Sequence, residues 1–433
     1  MLFFFFFNFL TTYVNIQLRL LSRSLIDVDD FISHLWKVHL AVQKEGYAQT
    51  LSLGLFRSDY MADVPSDSKS VSLKQVEFNT ISSSFGGLAS RVTSLHKELL
   101  NSQSYPSHPL LKYSPPENTA VETLSAGLAT AHKAYGPSKS LPARSLCILF
   151  LVQENERNLF DQMALLQELT RAHGIPVFRL LSSEIFNQTS INGSNPARPL
   201  IYHPPHITGV QFEATTVYLR CFYAPTDYKS ERDWEARTHL ERSAAIKCPT
   251  VLNQLSGSKI IQQVLAQNSG PDYLANFLGG TDPSTIARIR TTFAPQYDLS
   301  SSGRGRELAL NPETAANHVL KPQREGGGNN VYKSEIPGFL HSIPESDWKR
   351  WILMELIHPP TSAKNVALRS DGEVLGGNVI SELGVYGTVL WDQKGGNVLH
   401  NDQGGYLLRT KAKDVNEGGV ASGFSSLDSI ILF

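Results

Sequence analysis

A charged, glycine-dense loop follows a short apolar run at residues 319–332, where the sequence reads VLKPQREGGGNNVY. The apolar residues before Lys321 predict a short strand, which Pro322 ends. The backbone N–H groups of glycine can approach phosphate oxygens closely because no side chain is in the way. Lys321 and Arg324 add positive charge, and Glu325 adds an oxygen ligand of the kind that Mg²⁺ prefers. The loop therefore predicts a polyphosphate site, and the alternative is a solvated hairpin tip.

A second candidate site lies in VEFNT, where Glu77 and Asn79 are two residues apart. On a strand this spacing puts both side chains on one face, while the neighbouring apolar residues pack on the other. A magnesium ion that keeps several waters needs one or two carboxylates together with substrate phosphates, and Glu325 completes such a set. The alternative is that Glu77 pairs with a surface lysine such as Lys74.

Ser82 and Ser84 lie in a Ser/Gly-rich turn before a helix that is predicted to begin near Ala89. Backbone donors and the positive end of a helix favour a bound carboxylate or phosphate. A plain capping turn has the same composition and is the alternative.

Glu156 and Asn158 are also two residues apart, just after an apolar strand at 145–152, and Gln162 lies one helical turn beyond Asn158. Such a polar cluster suits the charged head of an amino acid. Alternatively, Asn158 is simply the N-cap of the following helix.

In LLRTKA, at 407–412, Arg409 and Lys411 alternate along a predicted strand and so point to one side of it. One of them can hold a carboxylate and the other a phosphate. The small-residue stretch EGGVASG that follows predicts a second mobile loop.

Composition excludes several classes of protein. The 39 Lys and Arg residues nearly balance 40 Asp and Glu residues, so no basic stripe or acidic tail predicts nucleic acid or a membrane as a partner. The 3 cysteines form no CxxC pair, which favours a reducing compartment. Motifs of P-loop nucleotidases, dinucleotide-binding enzymes, zinc proteases and serine hydrolases are missing. With 433 residues, the chain is expected to form two or three domains of a cytoplasmic enzyme.

The periodicity of apolar residues predicts an α/β protein. Residues 27–46 have helical spacing, with Asp29 or Asp30 as the cap. Residues 145–182 predict a strand, a helix that ends at Gly174 and a second strand, and hence a parallel sheet. The stretch WEARTHLERSAAIKC, at 234–248, predicts one helix that ends before proline.

The first residues, MLFFFFFNFL, form an apolar run that is too short to span a bilayer. No basic residue precedes the run, and the composition up to Ile26 is faintly similar to that of an organelle transit peptide. We favour the alternative, a mis-set start of the gene sequence.

Together these segments resemble eukaryotic glutathione synthetase, an ATP-grasp ligase family. The resemblance rests on KPQREGGGNN with its following tyrosine, and on LGLFRSDYM at 53–61, VEFNTISSSFGGLASR at 76–91, ERNLFDQ at 156–162, WEAR at 234–237, ERSAAIKCP at 241–249, SELGVYG at 381–387 and LLRTKA. It covers nearly everything after about Leu25. It implies an ATP-grasp fold with an inserted three-layer α/β substrate-binding domain and glycine-rich lids.

The resemblance also divides the chain. Residues 1–25 do not match, 26–142 form the first part of the ATP-grasp domain, and 143–249 form the substrate-binding domain. Residues 250–433 complete the ATP-grasp domain, with a lid at about 321–380 and a second lid loop at about 413–424.

The resemblance implies roles for individual residues as well. The ATP-binding residues are Glu77, Lys259, Lys321, Gly326, Gly327, Gly328, Asn329, Asn330, Tyr332, Met354, Glu355, Leu356, Ile357, Glu382, Lys411 and Glu417. The magnesium ligands are Glu77, Asn79 and Glu325. The substrate-binding residues are Arg57, Ser82, Ser84, Glu156, Asn158, Gln162, Arg220, Tyr223, Arg409, Val420 and Ala421, and the catalytic residues are Arg409, Lys321 and Lys411.

The reaction that the family match implies joins γ-glutamylcysteine to glycine through an acyl phosphate made from ATP, in a homodimer that requires Mg²⁺. Two departures from the family pattern stand out. Cys221 and Phe222 occupy positions where the family usually has a glycine before the tyrosine, and Glu417 stands where aspartate is common. The alternatives are a related ligase that uses another amine such as β-alanine, which a bulkier pair than Val420 and Ala421 would favour, and a catalytically impaired homologue.

Overall fold

The structure is a computed structural model that describes residues 25–64, 70–191, 195–267, 272–278, 282–300, 303–326, 328–360, 363–368, 372–416, 419–420, 423 and 425–432. The segment 1–24 thus lies outside the described residues. The α-helices described are α1 (Asp30–Glu45), α2 (Gly86–Asn101), α3 (Ala120–Tyr135), α4 (Leu159–His173), α5 (Ile185–Gln188), α6 (Glu231–Glu241), α7 (Val251–Ser256), α8 (Lys259–Ala266), α9 (Tyr273–Phe277), α10 (Pro283–Thr291), α11 (Arg304–Leu310), α12 (Pro312–Ala315) and α13 (Glu335–Ser342).

The strands described are β1 (Leu51–Asp63), β2 (Ser72–Asn79), β3 (Ser145–Val152), β4 (Val177–Leu181), β5 (Thr189–Ile191), β6 (Leu200–Tyr202), β7 (Phe212–Leu219), β8 (Ile246–Cys248), β9 (Gln296–Tyr297), β10 (His318–Pro322), β11 (Val331–Tyr332), β12 (Trp351–Glu355), β13 (Lys364–Leu368), β14 (Val374–Asp392), β15 (Val398–Ala412) and β16 (Ser426–Asp428). They form three sheets, and the combination fits the ATP-grasp fold class that the sequence predicted.

The main sheet is antiparallel and has the order β16-β15-β14-β1-β2, with β13 paired to β14. Its register aligns polar residues from strands that are far apart in the sequence. Asp59 lies opposite Glu77 on β2 and opposite Gly384 on β14, while Glu382 lies opposite Arg409 on β15. Strands from 26–142 and from 250–433 therefore share one sheet, and the predicted domain boundaries themselves remain predictions.

The second sheet is mixed and has the order β4-β3-β7-β6-β5, with β8 beside β7. Strands β3 and β4 are parallel and are joined by α4, which ends at Gly174 with φ 67°. This βαβ unit is the one that the sequence predicted, and β3 is nearly fully buried because helices and neighbouring strands cover it.

The single helix predicted for 234–248 is wrong in its second half. Helix α6 ends at Glu241, and Ile246 to Cys248 form β8, which pairs in parallel with Thr216 to Tyr218 of β7. All three residues of β8 are buried. Pairing with a buried neighbouring strand overrides the helical pattern of this short segment.

The third sheet is antiparallel, with the order β11-β10-β12-β9. Strand β10 ends at Pro322, as predicted, and the glycine-rich loop connects it to β11. Helix α1 also agrees with its prediction, since Asp29 is its N-cap and its apolar face is buried. Among the described residues, no helix is both long enough and apolar enough to cross a membrane.

Candidate functional site

A cavity of about 540 Å³ lies between the main sheet and the third sheet. A volume of this size accommodates a small organic ligand. The predicted residues on its wall are Glu77, Lys259, Lys321, Gly326, Asn329, Asn330, Tyr332, Met354, Glu355, Leu356, Ile357, Glu382, Arg409 and Lys411. Gly328 is described but is not part of this wall, and Gly327 and Glu417 lie outside the described residues.

Two buried lysines approach Glu77. Nζ of Lys259, the first residue of α8, lies 3.0 Å from Oε2 of Glu77. Nζ of Lys321, at the end of β10, donates a hydrogen bond of 2.9 Å to the carbonyl oxygen of Val76. Burial opposes ionisation of Glu77, but the charges of Lys259, Lys321 and Arg409 outweigh burial and hold its pKa below the usual range. The surface pairing considered for Glu77 is not formed, because Lys74 donates to backbone carbonyls instead.

Glu325 is electrostatically close to Glu77. Burial, together with repulsion from Glu77 and Asp59, raises the pKa of Glu325 to about 7, although Lys259 acts in the opposite direction. A divalent cation between the two carboxylates would relieve this repulsion. Within the described residues no group of three His, Cys, Asp or Glu side chains could hold a metal. Two carboxylates and the amide of Asn79 do fit an ion such as Mg²⁺, which keeps several waters and shares phosphate oxygens.

Asp59 is a central residue to which the sequence analysis gave no role. It is fully buried, and its carboxylate accepts from Nε of Arg57 at 2.6 Å and from Nη2 of Arg57 at 2.9 Å. Its Oδ2 also accepts from Nδ2 of Asn79 at 3.0 Å and from Nη2 of Arg409 at 3.1 Å. The signal was present in the sequence, because Asp59 shares one strand face with Arg57.

Arg409 bridges two carboxylates, since its guanidinium also pairs with Glu382 on the adjacent strand. Burial opposes the charge of Arg409, but Glu382 and Asp59 outweigh it and raise the pKa of the guanidinium. Nζ of Lys411, two residues further along the same strand, donates to the carbonyl oxygen of Asn416 at 2.6 Å. Arg409 and Lys411 thus face the same cavity, as their alternation predicted.

The two predicted lid segments contact each other at Asn416. The hydroxyl of Tyr332, which follows the glycine-rich loop, lies 3.5 Å from the carbonyl oxygen of Asn416. Val420 is described but is not on the cavity wall, and Ala421 lies outside the described residues.

One end of the cavity wall is apolar. Val319 and Met354 pack in one buried cluster, against which Leu356 and Ile357 lie. Beside them, the carboxylate of Glu355 accepts a hydrogen bond of 2.8 Å from the hydroxyl of Tyr297. A flat aromatic ring suits such a wall, with backbone groups at its edge.

Most of the predicted substrate residues form a second polar cluster, which Arg57 connects through Asp59 to Arg409 on the cavity wall. Nη1 of Arg57 donates to the carbonyl oxygen of Ser84 at 3.1 Å, and Nη2 of Arg220 donates to Oγ of Ser84 at 2.9 Å. Burial opposes the charge of Arg220, but its pKa is raised by Tyr218, Asp161 and Glu156, which places these groups around one cation. Ser82 is part of the same turn, because its carbonyl oxygen accepts from Oγ of Ser84.

Glu156, Asn158 and Gln162 lie together as predicted. Oε1 of Glu156 accepts from the backbone N–H of Asn158 at 2.7 Å, and Oε2 accepts from Nε2 of Gln162 at 2.7 Å. Asn158 occupies the N-cap position of α4 without making a side-chain capping bond. Oε1 of Gln162 and Nε of Arg220 are buried polar atoms that have no hydrogen-bond partner among the described residues. Tyr223 belongs to the cluster, since burial and Asp227 raise its pKa while Arg220 lowers it.

Asp161 is the second residue that the sequence analysis missed. Its Oδ2 accepts from the backbone N–H of Phe85 at 2.9 Å, and its Oδ1 accepts from that of Gly87 at 2.8 Å. The sequence predicted that backbone N–H groups at the start of α2 bind a carboxylate or phosphate. Those of Phe85 and Gly87 donate to a carboxylate of the protein itself. Asp161 stands inside ERNLFDQ, between two residues that the sequence did single out.

Arg324 lies on the cavity wall, so its charge is beside the glycine-rich loop as the sequence predicted. Its guanidinium also pairs with Oδ2 of Asp29, the N-cap of α1, at 2.7 Å. Because Asp29 is the N-cap of α1, the pair joins the loop to that helix. Buried Asp29 also lies at the positive end of the helix, which favours its negative charge. Lys259, Lys321 and Arg324 together carry the positive charge on this part of the cavity wall, and Arg324 also pairs with Asp29.

The packing of Phe222 shows how the chain accommodates this residue before Tyr223, where the family usually has glycine. Its φ is 68°, a left-handed conformation that favours glycine. The ring is fully buried and stacks on Tyr228 at 4.8 Å, and the backbone carbonyl accepts from Nε2 of Gln254 at 2.7 Å. Aromatic packing thus offsets the backbone strain, and the loop keeps Tyr223 within the polar cluster.

Comparison with known proteins identifies the class. Residues 7–432 match a family model described as "Eukaryotic glutathione synthase, ATP binding domain". A solved structure of a glutathione synthetase-like effector from Globodera pallida aligns with a TM-score of 0.68 and 20% identity, covering 97% of this chain and 85% of that one. At that identity the likeness concerns the fold alone.

Curated relatives agree with the family model. The chain is 39% identical over 430 residues to glutathione synthetase of Homo sapiens, covering 98% of this chain and 84% of that protein. It is 40% identical over 413 residues to the enzyme of Xenopus laevis, covering 94% and 80%. It is 38% identical over 431 residues to the glutathione synthetase large chain of Schizosaccharomyces pombe, covering 96% and 83%. The chain belongs to the eukaryotic glutathione synthase family, as the sequence motifs indicated.

Proposed function

We propose that this chain is an active ligase that joins γ-glutamylcysteine to glycine at the expense of ATP. The observation that carries the proposal is the convergence of Glu77, Lys259, Lys321, Arg409 and Lys411 on one cavity. These residues come from widely separated parts of a chain that belongs to the glutathione synthase family. Their charges suit a triphosphate, a metal ion and a reacting carboxylate.

ATP occupies the cavity in this proposal. The apolar wall formed by Met354, Leu356 and Ile357 takes the adenine, and Glu355 accepts hydrogen bonds from the base or ribose. Lys259 and Lys321 bind phosphate oxygens, and the backbone of the loop from Gly326 to Gly328 closes over them. The remaining predicted contacts, Asn329, Asn330, Tyr332, Glu382, Lys411 and Glu417, stay part of the proposal.

Magnesium is the cofactor that the donor set fits. Glu77, Asn79 and Glu325 would hold it, and the ion when bound neutralises phosphate charge and orients the triphosphate. The mutual repulsion that raises the pKa of Glu325 supports a cation at this place.

γ-Glutamylcysteine binds in the second polar cluster. Arg220 and Gln162 support a charged ligand here, because each has a buried polar atom without a partner among the described residues. Glu156 and Asn158 would bind the amino group of γ-glutamylcysteine, and Arg57 and Ser84 would bind its reacting carboxylate. Ser82 and Tyr223 would also contact this substrate. Glycine would lie beside Arg409, under the second lid loop with Val420 and Ala421.

The reaction is two displacements. A carboxylate oxygen of γ-glutamylcysteine bonds to the γ-phosphorus of ATP while the bond to the β–γ bridging oxygen breaks, and ADP leaves with that electron pair. The neutral amine of glycine then bonds to the acyl carbon, the bond from that carbon to the phosphate oxygen breaks, and the nitrogen passes one proton to the departing phosphate. Arg409 stabilises the developing charge, Lys321 and Lys411 stabilise the phosphoryl oxygens, and closed lids exclude water.

Phosphate release by the purified chain tests the proposal. With ATP, Mg²⁺ and γ-glutamylcysteine, we expect release to depend on added glycine and to be much slower with β-alanine. Equal turnover with both amines would contradict the acceptor assignment. No release with either amine would instead favour a catalytically impaired homologue.

Assembly and compartment are further parts of the proposal. Family membership supports a homodimer, and we place the chain in the cytoplasm without nucleic acid or membrane as a partner. Cys147, Cys221 and Cys248 are all free and buried, which is compatible with a reducing compartment.

A further inference from the structure

The carboxylate of Asp59 links three side chains that serve different parts of the site. Both of its oxygens are used by the fork of Arg57, and Oδ2 is shared with Asn79 and Arg409. Because Asp59 is fully buried, these donors replace the water that a carboxylate normally requires. Asp59 itself is not on the cavity wall, so its influence must pass through its partners.

The first partner is the amide of Asn79. Its Nδ2 donates to Oδ2 of Asp59 at 3.0 Å and to the carbonyl oxygen of Arg57 at 3.3 Å. Two acceptors on Nδ2 fix the rotation of the amide, so that Oδ1 is the atom left to act as a metal ligand. Hydrogen bonds of this kind orient metal ligands, and their loss commonly weakens metal binding.

The other partners are the two arginines. Arg57 extends from Asp59 to the carbonyl oxygen of Ser84 at 3.1 Å, in the cluster proposed for γ-glutamylcysteine. Arg409 extends from Asp59 to Glu382 on the cavity wall. One carboxylate therefore sets the separation between a guanidinium at the peptide cluster and a guanidinium at the nucleotide cavity.

The main sheet leaves room for this arrangement at Gly384, the residue opposite Asp59. A Cβ atom added at Gly384 would lie 2.7 Å from Cδ of Arg57 and 2.7 Å from Oδ1 of Asp59. Any side chain at this position would push the pair apart.

We propose that Asp59 is a positioning residue that couples the metal ligand Asn79 to the substrate guanidinium groups of Arg57 and Arg409. This inference rests on the proposed function for the identity of the ligands. Asp59 holds the metal and the reacting carboxylate at a fixed separation, which an in-line attack on the γ-phosphorus requires. Removing its charge loosens both ends together.

Asp59→Asn is the direct test, because the amide has the same shape but presents a donor to Arg57. We expect the half-saturating Mg²⁺ concentration to rise and kcat/KM for γ-glutamylcysteine to fall, each by about 10- to 100-fold. Glu213→Gln is the matched control, since Glu213 is also fully buried and accepts from Tyr135, Ser138 and Ser140 far from the cavity. The control should lose stability and keep the wild-type Mg²⁺ dependence.

If Asp59 only stabilised the fold, the result would be different. Activity would then fall in proportion to the folded fraction, with unchanged Mg²⁺ dependence, and the inference would be overturned. If Asp59→Asn does not fold, Gly384→Ala replaces it, because that variant displaces the pair while keeping every charge. A raised half-saturating Mg²⁺ concentration and a lowered kcat/KM for γ-glutamylcysteine in Gly384→Ala support the inference. Wild-type values of both quantities in this variant refute it.

The test also separates this inference from the proposed function. Calorimetric titration of ATP at several Mg²⁺ concentrations measures metal-dependent binding without turnover. A wild-type chain that binds MgATP but releases no phosphate would contradict the proposed function. A higher Mg²⁺ concentration needed for ATP binding by Asp59→Asn would still support the positioning role. Equal titrations for both proteins would overturn that role.

Discussion

The ammonium group of Lys259 lies 3.0 Å from Oε2 of Glu77, joining the start of α8 to the end of β2 at the cavity wall. Burial lowers the basicity of the lysine, but Glu325 and Glu77 outweigh burial and raise its pKa. This cation therefore stays charged beside two carboxylates, where phosphate and metal are proposed to bind.

Lys259→Met should lower kcat/KM for ATP by about 100-fold, because a buried cation facing phosphate is lost. Steady-state kinetics measure the change. Lys247→Met is the matched control: Lys247 is also buried, donates to the carbonyl oxygen of Ser243 and has its pKa lowered to about 8 by burial. The control should keep wild-type kinetics, and equal losses in both variants would argue against a phosphate contact at Lys259.

Lys321→Ala and Glu325→Ala should each abolish measurable phosphate release while the protein remains folded. Lys321 is a cation at the end of β10, and Glu325 is one of two carboxylates proposed to share a metal. Circular dichroism reports the fold, and phosphate release reports turnover. Lys74→Ala should remain active, because Lys74 donates to the carbonyl oxygens of Thr291 and Phe293 at the sheet edge. Retained turnover in Lys321→Ala would remove that lysine from the catalytic residues.

Phe222→Gly should destabilise the protein although it removes backbone strain. Relief of the left-handed conformation contributes about 1 to 2 kcal/mol, whereas removing a buried phenylalanine costs about 3 to 5 kcal/mol. We expect the free energy of unfolding in urea to fall by about 1 to 4 kcal/mol. Phe160→Ala is the control, because that ring is 75% exposed, and it should change stability little. A more stable Phe222→Gly would show that strain exceeds packing in this loop.

Acid should destabilise the protein through His239. Burial, together with Arg242, lowers the pKa of His239 to about 4 in the folded chain. Between about pH 6.5 and 4 the unfolded chain binds a proton that the folded chain does not, so the free energy of unfolding falls as pH decreases. This group alone accounts for up to about 3 kcal/mol.

Urea unfolding of the wild type and of His239→Gln at pH 7, 6 and 5 checks this expectation. Glutamine keeps a polar partner for Thr189, which bonds to Nε2 of His239 at 3.1 Å. The variant should lose less stability on acidification than the wild type does. Parallel curves would mean that other groups cause the acid sensitivity.

Local sequence pattern predicted the elements that depend on local signals. The cap at Asp29, the helix end at Gly174 and the strand end at Pro322 all have a residue-level cause and were predicted correctly. The segment 246–248 was not, because its conformation depends on pairing with β7, which lies about 30 residues earlier. Such pairing has no local signature.

The same reasoning applies to the site. Side chains that could contact a ligand were named because their chemistry is visible in the motif. Asp59 and Asp161 contact other protein groups, and their importance depends on donors that come from distant segments, such as Arg409 and Phe85. A sequence alone does not indicate which donors will surround a buried carboxylate.

Strand β14 runs without interruption from one part of the molecule to another. Its first residues pair with β13, at Lys364 to Leu368, and its later residues pair with β1 along Leu51 to Tyr60. Glu382 lies on the same strand between these two regions, and Gly384 lies near the start of the second, opposite Asp59. A single continuous strand therefore connects the pairing with β13 to the residue opposite Asp59, which holds the guanidinium groups of Arg57 and Arg409.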